Sequence, residues 1–133
     1  MTAAATAPAR FKDLCLDARD HQALADFWCA AAGWRRVPLP GGEPRPPGDP
    51  VLLRDPAGRA PDLWVAPVPE PKAVKNRMHV DLVGDVDALL ALGAALLRRP
   101  DEQVAWTVLA DPEGNEFCVF APPSPGADGG PTA

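Results

Sequence analysis

Apolar and polar residues alternate in several short stretches of the chain. A period of two places successive side chains on opposite faces, so each stretch is predicted to be a β-strand. The predicted strands are 11–18, 34–37, 51–54, 63–66, 77–83, 96–99, 106–110 and 116–120. The pattern therefore predicts a protein that is rich in short strands.

Two other stretches have helical spacing. In the first, Asp20 is a suitable N-cap, and Gly33 supplies the left-handed residue that ends many helices. The apolar positions between them lie three or four residues apart: Leu24, Phe27, Trp28 and Ala31. The second helix is shorter and runs from its N-cap Asp85 through Leu92 to Gly93. The order is thus strand, helix and three strands, repeated once.

Each half of the chain contains one predicted tight turn, which we call a corner. Each has the form Asp-Pro-x-Gly, at 55–58 and at 111–114. Proline fixes φ at the second position of a turn, and glycine tolerates the positive φ that closing a hairpin often needs. The second corner joins the last two predicted strands into a hairpin, which needs other strands beside it to be stable in water.

Three stretches resemble glyoxalase-like and bleomycin resistance proteins of the vicinal oxygen chelate superfamily. They are Asp26 to Trp28 with Gly33-Trp34, KNRMHVDL at 75–82, and ADPEGNEFCVF at 110–120. The resemblance implies an α+β fold of two tandem βαβββ modules. Their strands would form a curled, incompletely closed mixed sheet around a cavity, with the helices on the outer face.

The same resemblance sets the domain limits. Module one spans about 10–70 and module two about 76–122, so that 10–122 form a single domain. Residues 1–9 and 123–133 are expected to be flexible ends. Many relatives pair as homodimers, and a homodimer is expected here by resemblance alone.

Composition narrows the partners and the location. The net charge of −5 gives little reason to expect a nucleic-acid surface, which needs clustered positive charge. No apolar run approaches the ~20 residues of a membrane span, and the N-terminus lacks a secretory pattern. Three cysteines without paired spacing fit a reducing compartment. We expect a cytoplasmic protein that contacts neither nucleic acid nor membrane.

The strand faces suggest where a ligand would bind. Leu14, Leu16, Met78, Val80 and Leu82 suit the side that the helices cover. The opposite, more polar face would line the cavity. Its candidate ligand-binding residues are Asp13, Cys15, Asp17, Trp64, Arg77, Asp81, Trp106 and Cys118. Polar groups that converge in a mostly apolar cleft are a reasonable starting hypothesis for a binding site.

The resemblance also implies positions for metal ligands on the first and last strands of each module. Carried over to this chain, three of these positions are His79, Asp13 and Cys118. Many metal-binding relatives have Glu at the position of Cys118. The fourth falls near Leu63 or Val65, which cannot coordinate a metal, or at Asp62 after a slip of one residue. The ligand set is therefore incomplete, and binding without a cofactor is favoured. One divalent metal, Zn or one of Fe, Mn and Ni, is the alternative.

Most of these residues have a second interpretation. His79 is a candidate ligand or general base, or a histidine that only satisfies its neighbours. Glu116 is the candidate acid or base of the pocket, or a solvated strand end. Cys118 is a possible thiolate, although a buried cysteine is more often an apolar filler. Trp28 and Trp34 are predicted to lie in the core, and His21 is predicted to be exposed.

Two functions follow from this picture. The first is a protein that binds a small organic molecule in the concave sheet without the full set of metal ligands. The second is a metal-dependent enzyme of the same superfamily, a lyase, isomerase or dioxygenase, in which a metal polarises substrate oxygens and a carboxylate moves a proton.

Overall fold

The computed structural model describes residues 6–123, which form eight strands and two helices. In chain order the elements are β1 (Leu14–Ala18), α1 (His21–Ala32), β2 (Arg35–Arg36), β3 (Val51–Arg54), β4 (Leu63–Pro67), β5 (Val80–Val83), α2 (Val86–Ala91), β6 (Ala95–Arg98), β7 (Thr107–Ala110) and β8 (Glu116–Phe120). The predicted α+β class and the repeated βαβββ order are confirmed.

The strands form two four-stranded mixed sheets and no closed barrel. The strand order is β1-β4-β3-β2 in the first sheet and β5-β8-β7-β6 in the second. In each sheet the first strand of the module pairs in parallel with the last strand, and the remaining pairs are antiparallel. The first strand of each module is consequently an edge strand.

One hydrophobic core joins the two modules. Helix α1 packs on β3 and β4, where it covers Leu53, Leu63 and Val65. Its aromatic side chains also reach the second sheet, because the rings of Phe27 and Trp28 lie 6.1 and 5.2 Å from the ring of Phe117. The prediction that Trp28 and Trp34 belong to the core is confirmed.

Helix α1 begins and ends where the sequence predicts. The side chain of Asp20 accepts a hydrogen bond from the amide of Ala23, as an N-cap does. Gly33 has a φ of 76° and donates its amide to the carbonyl of Cys29. A side chain at this φ would be strained, so the glycine defines the helix end.

Both predicted corners are turns of the same kind. The amide of Gly58 donates to the carbonyl of Asp55, and the amide of Gly114 donates to that of Asp111, at 3.0 and 2.9 Å. Each aspartate also accepts hydrogen bonds from amides of its own loop through its carboxylate. The corners differ in burial, since Asp111 is only 3% exposed and accepts a further bond from α1.

The structure corrects two assignments of side chains. Met78 is 77% exposed, because β5 begins only at Val80 and Met78 lies in the preceding bend, outside the alternating stretch. His21 is buried, because the proline-rich loop folds over the start of α1 and brings the carbonyl of Asp49 within 3.0 Å of its Nε2 atom. Predicted strands 11–18 and 77–83 both begin three residues too early.

The predicted flexible ends, 1–9 and 123–133, fall largely outside the described residues. Within residues 6–123, neither helix has the length and apolar character that a membrane span requires.

Candidate functional site

A cavity of about 660 Å³ lies between the two modules. Its lining comes from β1, α1, Trp34 and β4 of module one, from the segment that leads to module two, from the start of β5, and from the second corner. The lining residues are Leu14, Cys15, Leu16, Asp17, Trp28, Trp34, Leu63, Val68, Glu70, Pro71, Lys72, Asn76, Arg77, Met78, His79, Val80, Glu113 and Asn115. Neither module alone builds this cavity.

The apolar wall comes mainly from module one. Leu14 and Leu16 lie on the helix-covered face of β1, as predicted, and both pack against the core. The indoles of Trp28 and Trp34, which also line the cavity, lie 6.2 Å apart. Residues from both faces of β1 contribute to the lining, which places the cavity along the free edge of this strand.

The polar wall comes mainly from the linking segment, which we define as residues 68–79. Its Arg77 and His79 line the cavity together with Asp17 and Cys15 of β1. These four residues are the predicted site residues that the structure brings to the cavity. The other predicted site residues are not part of its lining: Asp13, Trp64, Asp81, Trp106, Glu116 and Cys118.

Outside the cavity lining, His79 also belongs to a cluster with Asp81 and Cys118. Its Nδ1 atom lies 3.3 Å from Oδ1 of Asp81 and 4.0 Å from Sγ of Cys118. One ligand atom from each residue lies within 4.8 Å of the others. The cluster forms because β5 and β8 are paired with Asp81 beside Cys118, and His79 lies just before β5. His79 thus connects the cavity wall with this cluster.

The donor set of the cluster fits zinc better than manganese. Zinc binds nitrogen, sulfur and oxygen at about 2.0–2.3 Å, and catalytic sites commonly use three protein ligands. A thiolate is a poor ligand for metals that prefer oxygen. Burial, followed by the negative charge of Asp81, raises the pKa of the Cys118 thiol. The thiol is therefore protonated near neutral pH unless a cation replaces its proton.

Asp13 does not belong to this cluster, in which Asp81 lies beside His79 and Cys118. The ligand set of His79, Asp13 and Cys118 stays a prediction. Its carboxylate accepts a hydrogen bond of 3.0 Å from the indole of Trp64 and also pairs with Lys12. The guanidinium of Arg45 covers the ring of Trp64 at 5.1 Å. The side chains of Asp13 and Trp64 therefore contact each other and other residues of module one.

The residues at the predicted fourth ligand position make other contacts in the structure. Leu63 and Val65 are buried in the core on the face that α1 covers. Asp62 pairs with Arg54 at 2.8 Å, and this hydrogen bond lowers the pKa of Asp62. Nothing at this position of module one points to a metal ligand.

Trp106 contacts its own hairpin. Its ring lies 5.5 Å from the ring of Phe120, and the two rings are tilted by 36°. Such a tilted aromatic pair stabilises the position of Trp106 within the hairpin.

Glu116 is held by the linking segment. The Nζ atom of Lys72 lies 2.9 Å from its carboxylate, and the amide of Asn76 donates to the same group at 3.1 Å. Burial acts to raise the pKa of Glu116, but these bonds outweigh it and lower the value to about 2. Glu116 is consequently ionised near neutral pH and is a poor proton donor. Its role as acid or base of the pocket stays a prediction.

The ion pair of Glu116 and Lys72 makes the stability of the protein depend on pH. The pKa of Glu116 falls from 4.5 to about 2 on folding, so its contribution is complete above pH 4.5 and is lost as pH falls towards 2. We expect Glu116→Gln to lower the free energy of unfolding by about 2 kcal/mol at pH 7. The difference from the wild type should shrink towards pH 2. Urea denaturation at several pH values measures it, and a constant difference would contradict the assignment.

Several residues at the site were not predicted from the sequence. The sequence pattern assigns no role in the site to Lys72 or Asn76, and it places Glu113 only within the second corner. In the structure the carboxylate of Glu113 accepts amide hydrogen bonds at the start of α1, from Arg19 at 2.7 Å and Asp20 at 3.3 Å. These partners are separated from each other by many residues, and no local pattern in the sequence signals them.

Comparisons with known proteins agree with this architecture. The family model described as a glyoxalase-like domain matches residues 13–120. No curated protein sequence matches the chain. Among solved structures, the fosfomycin resistance protein FosX from Mesorhizobium loti is similar, with a TM-score of 0.61 at 12% identity; the match covers 87% of this chain and 94% of that protein.

Two further structures have the same fold. A glyoxalase/bleomycin resistance protein/dioxygenase family enzyme from Burkholderia phytofirmans PsJN gives a TM-score of 0.61 at 19% identity, covering 83% of this chain and 96% of that one. A FosX mutant from Listeria monocytogenes, in complex with Mn(II) and dihydroxypropylphosphonic acid, gives a TM-score of 0.62 at 14% identity. The match covers 88% of this chain and 95% of that protein. At these identities the similarity concerns the fold.

Proposed function

Because the chain belongs to the glyoxalase-like domain family, we propose that it binds a small organic molecule in the cavity between its modules. One observation carries the proposal. The cavity has a volume of about 660 Å³ and is lined by both modules. Pockets for small ligands typically measure about 300–1,000 Å³ and combine apolar walls with a few polar groups.

The lining indicates the kind of ligand. Leu14, Leu16 and the two tryptophans offer one broad apolar side. Arg77 and Asp17 offer charged groups on the lining. This arrangement suits a ligand with an apolar body and one or two polar substituents.

Calorimetry against a panel of small metabolites and antibiotics tests the proposal. Once a compound binds, Leu16→Trp is expected to weaken it by about tenfold or more, because the larger ring occupies space that the ligand needs. Leu97→Trp is the matched control, since Leu97 is 53% exposed on β6 and does not line the cavity. The proposal fails if no compound binds, or if both variants bind like the wild type.

A metal-dependent activity of the lyase, isomerase or dioxygenase type is the second candidate. The cluster of His79, Asp81 and Cys118 favours it, because His79 also lines the cavity. A zinc ion held there would supply Lewis acidity next to a bound ligand. The residues of the chain would then bind and orient the substrate, with His79 joining the two sites.

Elemental analysis of protein purified without chelators tests this candidate. About one zinc per chain, and a loss of thermal stability on adding a chelator, are the expected results. If the purified protein contains no metal and the chelator does not change its thermal stability, the metal-dependent activity is ruled out.

The homodimer and the cytoplasmic location stay predictions from the sequence. Sedimentation equilibrium would measure the first, and a monomer at micromolar concentration would contradict it.

A further inference from the structure

The linking segment, residues 68–79, builds a large part of the cavity wall and contains no helix or strand. The amide of Val68 bonds to the carbonyl of Ala18, where the segment begins. Beyond it, residues 69–78 take part in none of the backbone-to-backbone hydrogen bonds found in the described part of the chain. The position of this wall therefore depends on side chains.

Hydrophobic packing does not fix the segment. Beyond the half-buried Val68 at its start, the large apolar side chains of the segment are Val74 and Met78, which are 78% and 77% exposed. Such side chains contribute little burial, so they stabilise the observed path weakly.

Two residues of the second hairpin hold the segment instead. The carboxylate of Glu116 pairs with Nζ of Lys72 at 2.9 Å and accepts the amide of Asn76 at 3.1 Å. The amide side chain of Asn76 donates to Oδ1 of Asn115 at 2.8 Å. The side chains of Lys72 and Glu116 are only 18% and 14% exposed, so water competes weakly for this ion pair.

We propose that Glu116 is a positioning residue of the binding site. It fixes the linking segment at Lys72 and Asn76, and thereby directs Arg77 and His79, a few residues further on, towards the cavity. The segment then determines which ligands fit, although Glu116 itself does not line the cavity. The part of the inference that concerns ligands rests on the proposed function, while the part that concerns the segment does not.

Site-resolved proteolysis tests the positioning. Lys75 and Arg77 are exposed trypsin sites within the segment, and Arg59 is an exposed site in the first corner. Glu116→Gln should increase the native-state cleavage rate after Lys75 and Arg77 by about tenfold, since a charge-assisted bond is lost. Cleavage after Arg59 should not change. Glu102→Gln, an exposed glutamate on a different loop, is the matched control and should leave all rates unchanged.

A double-mutant cycle separates a specific pair from a general loss of structure. Lys72→Gln should have the same effect as Glu116→Gln, and the double variant should be cleaved no faster than either single one. An increase confined to the segment sites supports the proposal. Equal acceleration after Arg59, or no acceleration at all, overturns it.

Binding of the fluorescent aromatic sulfonate ANS supplies the second readout. Glu116→Gln should weaken ANS binding by about tenfold while leaving the cooperative unfolding transition intact. Unchanged ANS affinity together with faster segment cleavage would overturn the role in binding. If wild-type protein does not bind ANS and no panel compound binds, the proposed function fails, and the cleavage data still decide whether Glu116 holds the segment.

Discussion

Replacing Asp111 with alanine is expected to lower the free energy of unfolding by about 3 kcal/mol or more. The carboxylate accepts the indole N–H of Trp28 at 3.1 Å, and it also accepts the amides of Glu113 and Asn115 at 3.0 Å. Alanine would leave these donors without a partner in a nearly dry site. Urea denaturation followed by tryptophan fluorescence measures the loss.

The first corner provides the control for this prediction. Asp55 occupies the equivalent position and accepts amides of its own loop, but it makes no bond to a helix. Asp55→Ala should therefore cost much less than Asp111→Ala. Equal losses would show that the turn, and not the bond to Trp28, explains the effect.

The bond between Trp28 and Asp111 joins the two modules. Trp28 is on α1 of module one and also lines the cavity. Asp111 begins the corner whose Glu113 accepts amides at the start of the same helix. Because Trp28 and Glu113 both line the cavity, loosening the corner would disturb the cavity wall as well as destabilise the fold.

Replacing His79 with alanine is expected to weaken the binding of Zn²⁺ by about a hundredfold or more, if the cluster is a metal site. Removing one of three protein ligands leaves only Asp81 and Cys118, and Asp81 is 57% exposed in its side chain. Cobalt titration provides the measurement, because a thiolate bound to Co²⁺ gives a charge-transfer band that Cys118→Ser should abolish.

Asp13→Asn is the matched control for this titration. The family resemblance implies Asp13 as a ligand, whereas in the structure its carboxylate accepts a hydrogen bond from Trp64. Metal affinity should therefore be unchanged in this variant and reduced in Asp81→Asn. The reverse pattern would restore the ligand set predicted from the sequence and contradict the cluster described above.

Much of the architecture follows from local features of the chain. Asp20 and Gly33 set the limits of α1 because capping depends on a few neighbouring residues. The two corners fold as predicted because Pro and Gly restrict the backbone locally. The alternation in β1 correctly placed Leu14 and Leu16 on the helix-covered side.

Only the tertiary structure decided which of these residues meet. Strand pairing brought Asp81 beside Cys118. Packing of the linking segment on β8 paired Glu116, the candidate acid or base, with Lys72 and Asn76. A period of two tells which side chains share a face, but it carries no information about the strand or segment that lies across from them. The sequence by itself determined the modules and their elements, and contacts between distant residues determined the cavity.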